Sequence, residues 1–419
     1  MTAIVGILNK HGIAVAADSA ETIGSGVKIF NKANKIFTLS KYEPVGVVVY
    51  GDAMFGGLTP WDIVLKMYRK ELGKTKYATL KEYVYGLCAF LEGKQFLANE
   101  ADIKNVFNNQ VYLFFHQYII NNRLGKGENE DFLQKELEDI LHVILNECAS
   151  WEVIEAVKEI TKDQFESYIE SVLNDIKNDL LKRNISYIKI KDLLINILYI
   201  AFTRKEMLHA FSGIALFGYG ENEIYPRLFE LKIYGPLCGK LKWYVANEYE
   251  INNSRNSSWI CPLAQSDVML TILRGIEPQL LSTLYQLMSV TLNDYTEKVA
   301  KIIENDNKDL ANTIRTIDRN PSSNLLYQNI NTIINDSHVI PLMNTISTLQ
   351  KEDLAEVAEN LIYLTSLMRR ITPDQESVGG PIDVALLSKG DGFIWIKRKH
   401  YFEKSLNESY FTKYLMDNQ

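Results

Sequence analysis

Short apolar runs separated by turn residues occupy both ends of the chain, and they predict β-strands. The first two runs are joined by a turn at Lys10-His-Gly and together predict a hairpin. Val45–Tyr50 is apolar almost throughout, which indicates a strand buried on both faces. The main strands predicted in this way are Thr2–Leu8, Ile13–Ala17, Ile36–Leu39, Val45–Tyr50, Ile214–Tyr219, Arg227–Ile233, Pro381–Ser388 and Phe393–Lys397.

Between about residues 75 and 208 the apolar positions recur every three or four residues, which is the period of an α-helix. Within this stretch Thr161 and Gln164 have the spacing of a capping box, a helix-start pattern. Strands before and after it indicate a sheet-based domain that carries inserted helices. We therefore predict a core formed by 1–74 and 209–419, a helical insertion at 75–208 and a smaller insertion near 290–350.

Two further helical stretches are expected. The Thr59-Pro60 pair is typical of a helix start, with threonine as the cap and proline in the first turn. Residues 267–370 are helical in pattern, and Gly275 followed by Pro278 marks a break. The stretch 305–344 is rich in asparagine, and we expect it to be partly looped.

The composition excludes several classes of protein. The chain has 419 residues, of which 47% are hydrophobic and 23% charged, as in ordinary globular proteins. The formal net charge of −7 argues against nucleic-acid binding, because phosphate neutralisation requires a basic face. The longest apolar run, near Leu193–Phe202, is about half of the roughly 20 residues that span a bilayer. Together with four scattered cysteines and no secretory signal, this predicts a cytoplasmic protein with reduced thiols and no membrane partner.

No motif in the chain predicts a metal ion or an organic cofactor. The six histidines form no HExxH and do not combine with a cysteine pair. Gly73-Lys-Thr lacks the glycine five residues earlier that a phosphate loop needs, so we interpret Gly73 as a helix C-cap. Gly218 and Gly220 belong to a hairpin turn rather than to a dinucleotide fingerprint. We therefore expect neither a metal nor a cofactor.

The N-terminus carries the strongest chemical signal. Methionine aminopeptidases remove Met1 when a small residue follows, and Thr2 would then begin the mature chain. A terminal threonine combines a nucleophilic hydroxyl with an α-amino group whose unperturbed pKa is about 7.7–8.0. A nearby lysine lowers the pKa of that amine further, so the neutral amine can accept the hydroxyl proton near neutral pH. Such a site also needs a carboxylate to hold the lysine and an N–H group for the oxyanion.

Candidates for these groups lie close along the chain. Asp18 ends the second predicted strand, Lys35 precedes the third, and Gly51 follows the buried strand. Each also has an ordinary interpretation: a small second residue for Thr2, a turn residue for Asp18, a solvated lysine for Lys35 and a strand-ending turn for Gly51. Their combination is what favours a site.

Taken together, these segments resemble the opening of a proteasome β-type subunit, a member of the N-terminal nucleophile (Ntn) hydrolases. The resemblance resumes near the central hairpin and again toward the C-terminus, and it covers about half of the chain. The resembling segments are Thr2–Ile7, Gly12–Ser19, Lys35-Ile36, Gly51–Ala53, Ile214–Gly220, Arg227–Leu231, Leu354–Ala358, Asp374–Ala385 and Lys389–Gly392.

The resemblance implies an α+β fold, the four-layer αββα sandwich of Ntn hydrolases with an inserted helical region. It implies catalysis of amide-bond cleavage through an acyl-enzyme formed on Thr2, with Lys35 tuning the amine, Asp18 orienting the lysine and the Gly51 N–H binding the oxyanion. Further residues that it places in the site are Ser266, Asp374 and Ser377 near the amine, and Val49 and Ala53 lining a substrate pocket with an apolar preference.

Several alternatives stay open. Asp18 and Lys35 are one residue further apart than in the family pattern, which makes Lys32 a rival to Lys35. The favoured activity is a threonine-type endopeptidase acting on peptides or unfolded protein. The alternatives are an Ntn amidase for a small-molecule amide and a non-catalytic scaffold subunit. The resemblance also implies a homo-oligomer and an unfoldase or regulator as partners.

Overall fold

The computed structural model describes residues 2–23, 28–30, 32–93, 99–121, 130–205, 210–252, 256–318, 320–372, 378–400 and 402–416. Over these residues the chain is a mixture of helices and antiparallel sheets. The strands are β1 (Ala3–Asn9), β2 (Gly12–Ala17), β3 (Glu21–Ile23), β4 (Lys28–Phe30), β5 (Ile36–Thr38), β6 (Val45–Gly51), β7 (Met54–Phe55), β8 (Thr59–Pro60), β9 (Ser212–Gly218), β10 (Arg227–Leu237), β11 (Lys240–Glu250), β12 (Ser258–Ala264), β13 (Asp383–Ser388) and β14 (Gly392–Lys397).

Along the chain, groups of consecutive helices follow groups of consecutive strands. The helices are α1 (Trp61–Leu72), α2 (Leu80–Gly93), α3 (Glu100–Phe114), α4 (Glu130–Ala149), α5 (Lys162–Tyr168), α6 (Glu170–Lys182), α7 (Tyr187–Thr203), α8 (Asp267–Arg274), α9 (Pro278–Glu304), α10 (Lys308–Arg315), α11 (Asn320–Ile334), α12 (Ile340–Thr348), α13 (Lys351–Ile371) and α14 (Glu408–Met416).

The chain divides into two compact units, each built from separated segments. The first unit comprises Met1–Ala33, Ile251–Leu386 and Ile394–Asn407. The second comprises Asn34–Glu250, Leu387–Phe393 and Glu408–Gln419. The domain boundaries predicted from the sequence stay a prediction.

The first unit is built on a sheet with the strand order β12-β1-β2-β13-β14. Every residue of β1 is buried, because strands flank it on both sides and helices α12 and α13 cover one face. The alternate residues Ala3, Val5 and Ile7 belong to the same core as Leu354 and Ile362 of α13. The first strand of the chain is therefore an interior strand rather than a frayed end.

The second unit is built on a sheet with the strand order β11-β10-β9-β6-β5. Alternate residues of β6, Val45, Val47 and Val49, pack in one core with side chains of α1 and α2 such as Trp61 and Leu87. Helices α3 to α7 of this unit bury a separate cluster of their own, in which Phe107, Phe165 and Phe202 are in mutual ring contact. Sheet residues Leu237 and Tyr244 contact this second cluster.

Two local predictions are wrong. Thr59 and Pro60 form the short strand β8, and helix α1 begins only at Trp61, so threonine does not cap it. The stretch 305–344 is largely helical, as α10, α11 and the start of α12. One reason is that asparagine acts there as a helix cap: the Asn307 side chain accepts a hydrogen bond from the Leu310 N–H at 3.0 Å.

Other local predictions are confirmed. Thr161 and Gln164 form the capping box at the start of α5. Gly73 is the C-cap of α1, and Gly275 ends α8 in the left-handed conformation, with a φ of 70°, three residues before Pro278 begins α9.

A fully buried lysine lies in the second unit, where Lys242 of β11 is 1% exposed. Its Nζ is 4.1 Å from the centre of the Tyr234 ring and 5.9 Å from that of Phe202. Burial holds the pKa of Lys242 well below its usual range, because an ammonium group loses hydration in this setting. In the folded state the Lys242 ammonium group therefore loses its proton at a lower pH than in the unfolded state, where its pKa is about 10.4.

We expect the free energy of unfolding to rise with pH between the lowered pKa of Lys242 and about 10.4, because in that window the unfolded chain binds the additional proton. Lys242→Met should remove this rise and stabilise the protein at pH 7 by about 1–3 kcal/mol. Urea unfolding across pH measures both effects. Lys240→Met is the matched control, since that side chain on the same strand is 48% exposed; an equal response of the two variants would contradict the explanation.

Candidate functional site

Thr2 is held at the start of an interior strand. Its carbonyl oxygen accepts a hydrogen bond from the Gln265 N–H at 3.0 Å, and the next residue, Ala3, pairs with Ala264 of β12. Thr2, the residue before β1, is half-buried, whereas every residue of β1 is buried. The backbone at Thr2 is thus fixed by sheet pairing while the residue keeps access to solvent.

Asp18 holds the same end of the strand through its buried carboxylate, which is 1% exposed. Oδ1 accepts from the Ala3 N–H at 2.9 Å, and Oδ2 accepts from the N–H groups of Ala20 and Gly379, both at 3.1 Å. The Asp18 N–H in turn donates to the Ala3 carbonyl oxygen at 3.1 Å. Asp18 therefore connects the residue after Thr2 to the end of β2 and to the segment before β13.

The glycine pair near the C-terminus lies against this carboxylate. The Gly379 carbonyl oxygen accepts from the Ser19 N–H at 3.1 Å, and the Ser19 hydroxyl donates to the Pro381 carbonyl oxygen. Gly380 has a φ of +77°, a conformation that favours glycine. The predicted site residues Asp374 and Ser377 lie outside the residues that the structure describes, although the segment that follows them reaches Asp18.

Ser266 lies one residue beyond Gln265, the residue whose N–H binds the Thr2 carbonyl oxygen. It is the N-cap residue of α8, but its side chain makes no capping hydrogen bond to the helix. Ala264, just before it, has a φ of +66°, which is unusual for a residue other than glycine and turns the chain out of β12. The first unit thus brings Thr2, Asp18 and Ser266 to one end of its sheet.

The two rival lysines differ in burial. Lys35 is 5% exposed and directly precedes β5, and its carbonyl oxygen accepts from the Val49 N–H at 2.9 Å. Lys32 is exposed. A buried lysine is rare in proteins unless its charge is paired, so burial distinguishes Lys35 from Lys32, and the choice of the active-site lysine stays a prediction.

Gly51 ends β6 opposite Ser212 and has a φ of +74°. A Cβ at this position would lie 2.6 Å from the Phe211 carbonyl oxygen, so only glycine fits. Val49 is 7% exposed and packs in the core of the second unit, whereas Ala53 is exposed. The two predicted pocket residues therefore have different surroundings.

A buried polar network beside Gly51 was not predicted from the sequence. The Tyr50 hydroxyl donates to Glu230 Oε1, and Asn247 Nδ2 donates to Glu230 Oε2 at 2.5 Å. Lys232 Nζ lies 3.7 Å from the Glu230 carboxylate and 3.9 Å from the centre of the Phe211 ring. Burial lowers the pKa of Lys232, and the neighbouring Glu230 opposes that shift. The signal in the sequence is a Glu-x-Lys pair, Glu230 and Lys232, among the mostly apolar residues that follow Arg227 in β10.

Two absences concern the described residues alone. In the described parts of the chain, no group of three or more histidine, cysteine, aspartate or glutamate side chains is arranged to hold a metal ion. Among the helices of those parts, none is long and apolar enough to cross a membrane.

Comparison with solved structures gives distant neighbours at 9–10% identity. No family model matches the chain, and no curated protein matches it. A mutant Anbu from Hyphomicrobium sp. strain MC1 is 9% identical, with a TM-score of 0.29, over 100% of this chain and 96% of that one. Anbu (ancestral beta-subunit) from Yersinia bercovieri is 10% identical, with a TM-score of 0.27, over 99% and 94%. The Anbu complex from Pseudomonas aeruginosa, described as a helical assembly, is 10% identical, with a TM-score of 0.24, over 100% and 95%.

These findings correct the resemblance drawn from the sequence. The neighbours are Anbu proteins, a proteasome-like family distinct from the proteasome β-type subunits that the motifs suggested. TM-scores of 0.24–0.29 are too low to assign the chain to either group. The resemblance rests on short motifs such as those around Thr2 and Asp18, and such motifs do not define a family when no family model or curated protein matches the chain.

Proposed function

We propose that the protein is an amide hydrolase whose nucleophile is Thr2, placed at the N-terminus of the mature chain by removal of Met1. The observation that carries this proposal is that hydrogen bonds hold the backbone in place where β1 begins, directly after Thr2. The first N–H of β1 is bound by the buried Asp18 carboxylate, and the Thr2 carbonyl oxygen is bound by the Gln265 N–H. A nucleophile needs a fixed position, and these bonds supply it while Thr2 stays half-buried.

The proposed reaction uses the two functional groups of Thr2 together. The neutral α-amine accepts the hydroxyl proton, and the hydroxyl oxygen attacks the amide carbonyl to form an acyl-enzyme ester. The protonated amine donates to the leaving nitrogen. A water molecule, deprotonated by the same amine, then hydrolyses the ester and regenerates Thr2.

Asp18 is proposed as a positioning residue for this strand. The sequence-based assignment of Asp18 to the lysine, like the assignments of Lys35 to the amine and of the Gly51 N–H to the oxyanion, stays a prediction. The same holds for Ser266, Asp374, Ser377 and the pocket residues Val49 and Ala53.

We further propose the four-layer αββα arrangement for this fold. In support, each unit supplies one five-stranded sheet with helices on one face: α12 and α13 in the first unit, α1 and α2 in the second. Peptide or unfolded protein is the proposed substrate, making the enzyme a threonine-type peptidase. A homo-oligomer and an unfoldase or regulator are its proposed partners.

The proposal is tested with a panel of fluorogenic peptides that carry apolar residues before the scissile bond. We expect Thr2→Ala to lower kcat/KM by at least about 10³-fold, as loss of a catalytic nucleophile does in hydrolases. Thr2→Ser retains both functional groups and is the matched control, expected to keep measurable turnover. Equal rates for the wild type and Thr2→Ala would contradict the proposal. Turnover of small acyl amides but of no peptide would instead favour an amidase.

A further inference from the structure

Helix α9 exposes an apolar stripe along most of its 27 residues. Leu280, Leu284, Leu287, Tyr295 and Ile302 recur at helical spacing on one side, and they are 51%, 39%, 56%, 68% and 74% exposed. A surface helix of a globular protein normally turns such a stripe toward the core of its own domain. Here a different side of the helix faces its own unit.

That inner side of α9 is identified by its contacts. Leu281 and Ala300 are the buried residues of the helix, and the Tyr285 ring lies 4.3 Å from the Tyr327 ring of α11. Ser289 also hydrogen-bonds with the Tyr327 hydroxyl at 3.2 Å. The stripe of Leu280, Leu284 and Leu287 thus points away from the side that packs within the unit.

The charge pattern of α9 favours another copy of the same helix as the occupant of the stripe. Residues 278–293 contain no charged side chain, whereas Asp294, Glu297, Lys298, Lys301 and Glu304 follow. An uncharged surface of sixteen residues can meet its own copy with no repulsion between like charges. Glu277, just before the helix, carries the nearest charge on the N-terminal side.

An antiparallel pair of α9 helices around a two-fold axis between Leu287 and Met288 brings complementary residues together. Leu280 lies seven residues before Leu287 and Tyr295 seven after Met288, so Leu280 of one copy faces Tyr295 of the other. In the same register Glu277, ten residues before Leu287, faces Lys298, ten residues after Met288. Lys298 is 69% exposed and lies 2.6 Å from the Asp294 carboxylate of its own helix, so Glu277 of the other copy would be its second acidic neighbour, and each two-fold pair would contain this contact twice.

The area buried between the two helices indicates how strongly the two copies should bind each other. In this register residues 278–297 of the two helices overlap, over a length of about 30 Å and a width of about 10 Å, so an α9 pair buries about 600 Å² in total. Stable interfaces bury roughly 1,200–2,000 Å², which makes this contact one of the weak and reversible class. We therefore expect a dissociation constant on the order of micromolar.

We propose that the chain forms a reversible antiparallel homodimer through the exposed stripe of α9, with Glu277 of each copy beside Lys298 of the other. The dimer is independent of the proposed hydrolase activity, because it uses neither Thr2 nor Asp18. It joins two copies through helices that lie outside the sheet of the first unit.

The first test is sedimentation velocity of the full chain from about 1 to 100 µM, a range that brackets a micromolar dissociation constant. The wild type should pass from monomer to dimer, and Leu284→Lys/Leu287→Lys should stay monomeric. Ile224→Lys is the control, since Ile224 is 76% exposed in the second unit and should leave the transition unchanged. A wild type that is monomeric at the highest concentration overturns the proposal. An assembly indifferent to the double leucine variant overturns it as well, because the contact would then use another surface.

A charge swap tests the register. Glu277→Lys alone and Lys298→Glu alone should each weaken the dimer at least threefold, and the double swap should restore it. Circular dichroism of each variant separates a lost contact from a lost helix, because Glu277 also caps α9 through the N–H groups of Gln279 and Leu280. Failure of the double swap to restore a dimer that both single variants weaken overturns the antiparallel register.

Discussion

Asp18→Ala is expected to lower the free energy of unfolding by about 3–5 kcal/mol, because each buried group left without its partner costs about 1–3 kcal/mol. The substitution leaves the N–H groups of Ala3, Ala20 and Gly379 without the carboxylate that accepts them. It also releases the segment before β13 from the start of β1. Urea unfolding followed by circular dichroism measures the loss.

Two further variants test whether the loss of stability comes from the Asp18 carboxylate itself. Asp18→Asn keeps one acceptor oxygen but presents an NH₂ group to a neighbouring N–H, so we expect an intermediate loss of about 1–3 kcal/mol. Asp306→Ala replaces an exposed aspartate in a turn of the same unit and should change stability by less than about 0.5 kcal/mol. An Asp18→Ala variant as stable as Asp306→Ala would show that the carboxylate does not hold the strand.

Lys35→Met is expected to lower kcat/KM on the peptide panel by about 10²-fold or more, the scale of a general acid–base contribution. The sequence predicts that this lysine depresses the pKa of the Thr2 amine, so its loss should also move the acidic limb of the pH–rate profile to higher pH. The measurement is kcat/KM from pH 5 to pH 9. A shifted limb separates an electrostatic role from a purely structural one.

Lys32→Met is the comparison for this prediction, because Lys32 is exposed and lies three residues before Lys35. We expect it to change kcat/KM less than twofold. Since Lys35 is 5% exposed, its variant must also be checked for folding by the urea midpoint. A large loss with Lys32→Met and none with Lys35→Met would reverse the assignment of the active-site lysine.

The strands were the most predictable part of the fold. The run Val45–Tyr50 corresponds to β6, and the hairpin predicted from Thr2–Leu8 and Ile13–Ala17 corresponds to β1 and β2. Short, fully apolar runs bounded by turns carry this information locally, because burial on both faces requires it. Their order within a sheet is set by contacts between distant segments, such as Leu8 with Trp259, which no local pattern specifies.

The helices near 305–344 were less predictable, because the same residue type has opposite effects at different positions. Asparagine inside a helix is unfavourable, and a cluster of asparagines therefore predicted a loop. At position 307 the asparagine lies before the first turn of α10, where its side chain binds the Leu310 N–H and favours the helix. Composition alone does not distinguish the two positions.

The candidate site was predictable in its residue types but not in its contacts. The sequence indicated Asp18 as an acidic residue after a strand, and assigned it to a lysine. Its bond to Gly379, 361 residues away, depends on the fold and has no local signal. The Glu230-x-Lys232 pair is visible in the sequence, but its partner Tyr50 lies 180 residues away, so the network could not be predicted from the pair alone.

The measurement that tests the central claim most directly is the intact mass of the purified protein before and after treatment with a peptidyl epoxyketone. This reagent forms its stable ring adduct only with an amine and a hydroxyl on one terminal residue. We predict a mass without Met1 and the addition of one inhibitor molecule, which is absent in Thr2→Ala. A retained Met1, or a protein without Met1 that takes up no inhibitor, would contradict the account of Thr2 as a working N-terminal nucleophile.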